Sequence, residues 1–161
     1  MPRAYLAVCY PMAMRIALAA DELTGVAEEV AAALRRRGHE LSLHGALAPG
    51  DRADWAWASA AAAHEVAAGA ADQAVVCCWT GTGASIAANK VAGIRAALCG
   101  DAVTAAGARR WNDANALALS LRTLSPAVLE EVLDAWFAAA PSSQPGDVAN
   151  VAQLSEIEAG A

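Results

Sequence analysis

Gln73–Lys90 reads QAVVCCWTGTGASIAANK. A short run without charge ends at Cys78, and within two residues the chain turns to hydroxyls, glycines and alanines. Such a run, bounded by turn residues, reads as a strand buried on both faces, Gln73–Cys78, and Ser85–Lys90 opens a helix behind it. Two cysteines and a tryptophan stand where strand meets turn. Whether that juncture is a site depends on what the loop amides hold and on what faces them.

Outward from this unit the elements alternate. Arg15–Ala20 (RIALAA) is a buried strand, and Gly25–Arg37 is an amphipathic helix closed by Gly38. Glu40–His44 is a second, more polar strand, followed by a loop through Pro49, Gly50 and Asp51 and an alanine-rich helix over about 54–68. Arg95–Cys99 is the fourth strand, Ala102–Arg110 a helix, and Ala116–Ser120 the fifth strand. Ser125 and Pro126 form an N-cap and first-turn pair for a helix to about Phe137. PSSQPGD then links to a terminal helix over Val148–Ile157. Strands alternating with helices predict an α/β fold, a parallel sheet with helices on both faces. Ligands in such sheets bind beyond the carboxyl ends of the strands. Asp21–Thr24, Trp79–Ala84 and Gly100–Asp101 therefore line one expected site.

The bulk properties narrow the functions. At 161 residues, 57% of them hydrophobic with alanine prominent, the chain is long enough for one domain with a sizeable core. No window reaches the roughly 18 uninterrupted apolar residues of a spanning helix. A net charge of −6 excludes a basic footprint for nucleic acid. Arg35–Arg37 is a short basic run that reads as a solvated helix end. Residues 1–13 read as an extension of uncertain start without a secretory pattern, 14–140 as the domain, and 141–161 as linker and terminal helix or tail. Four cysteines without CxxC spacing point to reduced thiols in a cytoplasmic protein, with no zinc site or disulfide scaffold.

Gly81 and Gly83 permit a backbone whose N–H groups converge, which suits a phosphate or a developing oxyanion. The loop is neither GxxxxGK nor a dinucleotide fingerprint, and a plain tight turn has the same spacing. Cys77 and Cys78 point to opposite faces of their strand, so only one can face the loop. Cys78 is nearer, and a thiol at a helix start has its pKa lowered from about 8.5. Cys9, Cys77 and Cys99 read as small buried hydrophobes.

CWTGTGASIAANKVAGIRAALCGD, residues 78–101, and ARRWNDANALALS, residues 108–120, resemble the ribose-5-phosphate isomerase B family, which includes the galactose-6-phosphate isomerase subunits. The likeness runs from Arg15 to about Phe137. It implies a Rossmann-like three-layer sandwich with a five-stranded parallel sheet, and a homodimer with its site at the subunit interface. It also implies aldose–ketose isomerisation of a sugar or sugar phosphate without metal or organic cofactor. By the resemblance Cys78 is the base, and the amides of Gly81, Thr82, Gly83, Ala84 and Ser85 hold the enediolate oxygens, a charge that appears only along the reaction. Thr80 assists near ring opening, Asp21 bonds sugar hydroxyls, Asn112 lines the pocket and Arg109 contacts phosphate.

The departures concern recognition. Glu22 stands where the family has histidine after the aspartate, and Gly100 replaces the ring-opening histidine of Cys-His-Asp, leaving Glu22 or Asp101 as the available acid–base group. Trp111 replaces another histidine, Trp79 a small residue and Trp55 a tyrosine. Residues 141–160 carry no basic residue where the family has phosphate-gripping arginines, and His39, His44 and His64 lie away from the expected site. Fewer cations weaken recognition of a doubly charged phosphate, while Trp79 and Trp111 offer flat apolar walls to a sugar. Trp57 and Trp136 are expected to pack a subunit interface. Two alternatives stay open: ribose-5-phosphate isomerase with a rearranged site, and an offshoot that binds a sugar or nucleoside without turnover.

Overall fold

The computed structural model describes residues 12–160. Cys9 and nearly all of the expected extension fall outside them. Five strands, β1 (Arg15–Ala20), β2 (Glu40–Gly45), β3 (Gln73–Cys78), β4 (Ala96–Leu98) and β5 (Ala116–Ser120), form one parallel sheet in the order β2-β1-β3-β5-β4. The helices are α1 (Ala27–Arg36), α2 (Trp55–Ala67), α3 (Thr82–Ala88), α4 (Ala102–Asn112), α5 (Pro126–Ala138) and α6 (Pro145–Glu158). The strand order reverses between β1 and β3, so the loops after these strands flank the switch point where α/β sheets bind ligands.

Side-chain alternation divides the interior in two. Ile16, Leu18, Val75, Leu117 and Leu119 face one way and meet Val30, Leu34, Leu129, Leu133 and Trp136 from α1 and α5. Ala17, Ala19, Ala74, Val76, Cys78 and Ala118 face the other way, against Ala58, Ala62, Ala63, Ala84 and Ala88 of α2 and α3. The three-layer sandwich thus has one face of large side chains and one built almost wholly from methyl groups. Trp136 is fully buried within its own chain and donates its Nε1–H to Gln73 Oε1 at 2.7 Å. That corrects its expected place at a subunit interface.

The run at Arg35–Arg37 also differs from expectation. The Arg37 side chain is only 2% exposed, and its guanidinium donates to the carbonyls of Ala33 and Glu130 and pairs with Glu130 and Asp134 at 2.6 Å each. The last turn of α1 points this residue inward, so it fastens α1 to α5 while its neighbour Arg36 bridges Glu29 and Glu130 at the surface. At β4, Asn89 accepts the Ala96 N–H at 2.8 Å and donates to the Ala96 carbonyl at 2.9 Å, so one carboxamide occupies the outer side of the edge strand. The terminal helix α6 begins at Pro145, earlier than expected, and buries none of its residues; Glu158 near its end accepts the Gly93 N–H. No described helix is long and apolar enough to cross a membrane.

Candidate active site

β3 delivers Cys78 to the carboxyl edge of the sheet, and Gly81, at φ +76°, turns the chain directly into α3. A side chain there would collide with Leu98 and the Leu119 backbone, so the turn needs glycine for both conformation and space. The helix therefore starts at Thr82, three residues before the expected Ser85. Cys77 and Cys78 face opposite layers, as alternation requires. Cys78 is almost wholly buried, and its Sγ accepts the Ala84 N–H at 3.4 Å. Burial pushes the Cys77 thiol far up and the Cys99 thiol to about 11, with Asp101 adding to the latter.

Accounting for the loop amides narrows the expected oxyanion cup. Gly81 N–H donates to the Cys78 carbonyl, Ala84 to the Cys78 sulfur, and Ser85 to the Gly81 carbonyl. Of the five amides expected to form the cup, two, Thr82 and Gly83, are without a partner among the described residues. Trp55 lies over it, its indole in contact range of Gly83, and the Thr80 and Thr82 hydroxyls bond to each other at 2.7 Å.

Asp21 borders this loop from the end of β1. Burial first, then the neighbouring Glu22, holds its carboxyl above the usual carboxylate range, and its Oδ1 is buried without a hydrogen-bond partner. An orphaned acceptor of this kind is costly unless a ligand hydroxyl supplies the missing donor. On the other side, a cavity of about 290 Å³ is lined by Thr80, Leu98, Gly100, Ser120 and Arg122, among others. Arg122 is exposed and makes no ion pair; the Trp79 carbonyl, which accepts the Arg122 N–H and the Ser120 hydroxyl, ties this wall to the cysteine loop. Sequence reasoning placed three loops here and left out this fourth one, after β5. The strand rule that found the others includes it once β5 is known to pair with β3.

Of the remaining expected residues, Asp101 follows the cavity-lining Gly100, and Arg109, Trp111 and Asn112 lie farther along α4. Asp101 caps α4, accepting from the Thr104 N–H and hydroxyl at 2.8 Å, and these bonds hold its carboxyl below the usual range. Arg109 is mostly buried, bonded to the Ala114 carbonyl and Asp113, with Trp136 beneath its guanidinium. Burial pulls its pKa down against the opposing influence of Asp113. Trp111 and Asn112 lie at the far end of α4, whose 11 residues carry the chain about 16 Å from the cysteine side. One chain therefore gathers Asp21, Cys78, Thr80 and the Gly81–Ser85 loop, but leaves Arg109, Trp111 and Asn112 outside. Trp79 is half-exposed beside the loop. Among the described residues no group of three or more His, Cys, Asp or Glu side chains is placed to hold a metal ion.

The family model described as Ribose/Galactose Isomerase matches residues 16–154. The chain is 38% identical over 111 residues to ribose-5-phosphate isomerase B of Escherichia coli, covering 69% of this chain and 74% of that one. It is 42% identical over 74 residues to the D-erythrulose-4-phosphate isomerase of Pectobacterium atrosepticum, covering 46% of this chain and 49% of the other. The solved ribose-5-phosphate isomerase B of Clostridium thermocellum superposes with a TM-score of 0.82 at 34% identity, over 91% of this chain and 99% of that one.

Proposed function

The chain belongs to the ribose/galactose isomerase family, and from that premise we propose that it interconverts an aldose and a ketose, as free sugar or sugar phosphate, with Cys78 as the base. The observation that carries this reading is the placement of the Cys78 sulfur under the α3 turn, against the Ala84 amide and next to two amides without partners. The thiolate takes the proton from the carbon beside the carbonyl and returns it to the neighbouring carbon. The intervening cis-enediolate places negative oxygen near Thr82 and Gly83 N–H, a stabilisation that strengthens as charge develops. Asp21 is disposed to hold a proton and to bond substrate hydroxyls, because burial favours its neutral form. Thr80 borders both the loop and the adjoining cavity. Glu22 or Asp101 serves ring opening in place of the histidine that Gly100 lacks.

Arg122 supports a second, narrower reading, ribose-5-phosphate isomerisation. It is an unpaired guanidinium facing the cavity that Thr80 shares, and it suits an anionic head group. The active unit in either reading is a homodimer, since Trp111 and Asn112 reach a cysteine loop only on another copy.

Incubation with a panel of aldoses, ketoses and their phosphates in deuterated water tests the reaction. Deuterium at the carbon beside the carbonyl, lost in Cys78→Ala, is the expected result. Absence of label from every sugar refutes it. Saturation by ribose 5-phosphate, weakened by Arg122→Ala, selects the narrower reading.

A further inference from the structure

We propose that β2, at the opposite edge of the sheet from β4, is a docking surface for a second copy of this chain, whose own β2 pairs with it antiparallel about a twofold axis. The pairing is independent of the isomerase reading and uses none of the residues placed in its site.

β2 has a strand partner on one side alone, β1. Backbone groups along a strand point alternately to either side. Glu40 and Ala46 send their N–H groups to the carbonyls of Met14 and Ala20, toward β1. Leu41, Leu43 and Gly45 therefore face outward. Both ends of this outer row are occupied within the chain: the His39 N–H donates to the Leu34 carbonyl, and the Gly45 N–H to Asp51 Oδ2 at 2.8 Å. Leu41 and Leu43 remain, and their N–H groups donate to no described residue. The free row is two rungs long and closed at each end.

Such a row is complementary to itself. With Leu41 opposite Leu43 of the other copy, and Leu43 opposite Leu41, both pairs exchange both backbone bonds. Sliding the register by two residues spoils this. Toward Gly45 it calls on the donor that Asp51 holds, and toward His39 on the one that Leu34 holds. In the favoured register Ser42 meets Ser42 on the axis, and Glu40 stands opposite His44 of the other copy. Glu40 is exposed and makes no hydrogen bond or ion pair with a described residue. The His44 ring is held at Nε2 by Glu65 Oε1, 2.8 Å away. The ring then lies between two carboxylates, which a protonated imidazole satisfies at both nitrogens. Leu41 and Leu43, half-buried in one chain, gain each other as cross-strand neighbours.

The flanking layer leaves room. α2 lies over β1, with β2 and β3 to its sides. Three strand spacings, about 14 Å, separate β1 from its counterpart, so two helices about 10 Å across lie side by side. A flexible peptide would have to be ordered for two rungs, whereas a folded copy brings its strand already fixed; the occupant is accordingly a second copy. Together with a homodimer around the cysteine loop, this second twofold contact gives a closed tetramer.

Sedimentation velocity of the full chain, with melting temperature measured alongside, tests the pairing. Leu41→Pro removes an outward N–H and spares every bond to β1, and it is expected to halve the sedimenting mass. Glu40→Lys sets a cation against His44 twice across the axis, and is expected to weaken association about tenfold with the melting temperature unchanged. The register has its own test. Ser42→Cys is expected to cross-link two copies on mild oxidation, because its Cβ atoms face each other at about 5 Å. Glu40→Cys is not, since its counterpart stands about 14 Å along the strands. A mass indifferent to both Leu41→Pro and Glu40→Lys, or equal cross-linking of the two cysteine variants, overturns the proposal. So does slow amide exchange at Leu41 and Leu43 at a dilution where the mass is already halved, because another segment then fills the edge. If Leu41→Pro unfolds, Glu40→Lys and the cross-link decide alone.

Discussion

The two faces of the sheet are built on different scales. On one, leucines and valines from β1, β3 and β5 meet Leu129, Leu133, Trp136 and Phe137. On the other, the same strands present alanine, and α2 and α3 answer with alanine. Burying a leucine side chain contributes about 2 kcal/mol, and an alanine methyl far less. Most of the hydrophobic stabilisation therefore belongs to the α1–α5 face. The thin face lets α2 and α3 approach closely, and it is there that Cys78, Gly83 and Trp55 meet. The lesson is a division of labour: one layer holds the fold while the opposite layer is shaped for close backbone approach.

Substitutions can break that division. The largest effect expected is on activity: Cys78→Ala lowers kcat by about 10³ or more, a loss typical of removing a positioned base, with little change in melting temperature. A steep loss of stability instead would place the cysteine among the residues that hold the fold. On the thick face, Leu133→Ala, at a fully buried position, costs about 3 kcal/mol in denaturant unfolding and leaves kcat near wild type. Arg37→Ala costs about 2–3 kcal/mol, since it leaves Glu130 and Asp134 without their shared partner and α1 unfastened from α5. On the thin face the sensitivity reverses sign. Ala62→Val adds volume where none is free and costs about 1–2 kcal/mol, and it shifts KM by moving α2, with Trp55 at its start, relative to the Gly83 turn.

The smallest effect is a pH dependence. The folded-state pKa of Asp21 is raised, so the fold binds its proton more tightly than the unfolded chain does. Its contribution to stability is fully present below the ordinary carboxylate pKa and is lost as pH rises through the raised value. Asp21→Asn is accordingly expected to be slightly more stable than wild type at neutral pH. The advantage vanishes in acid, and activity is lost throughout. Thermal melts across pH 3–8 check the sign.

Much of this arrangement was legible in the residues. β1, β3 and β5 fall on the expected bounds because each is central, buried on both faces and punctuated by turn residues. The start of α3 was not legible, since Thr82, Gly83 and Ala84 read as loop until Gly81 is seen to turn the chain into a helix at once. Nor does a run of three arginines say which one the last helical turn sends inward; Arg37 is decided by Glu130 and Asp134, some ninety residues away. The cup at Gly81–Ser85 was located by its glycines, but how many amides are free follows only from where each donates. Trp111 and Asn112 were grouped with the cysteine loop by likeness to a family whose site lies between subunits; within one chain they stand together at the C-terminal end of α4, away from that loop.

The Asn89 carboxamide has a consequence for the life of the molecule in a crowded solution. By bonding both the N–H and the carbonyl of Ala96, it imitates the backbone of an adjoining strand and fills the place one would take. An exposed sheet margin is a template on which foreign chains polymerise. Here the Ala96 rung of the β4 margin is already read by a single side chain, so a foreign chain finds that place taken and would have to pair elsewhere, as along β2.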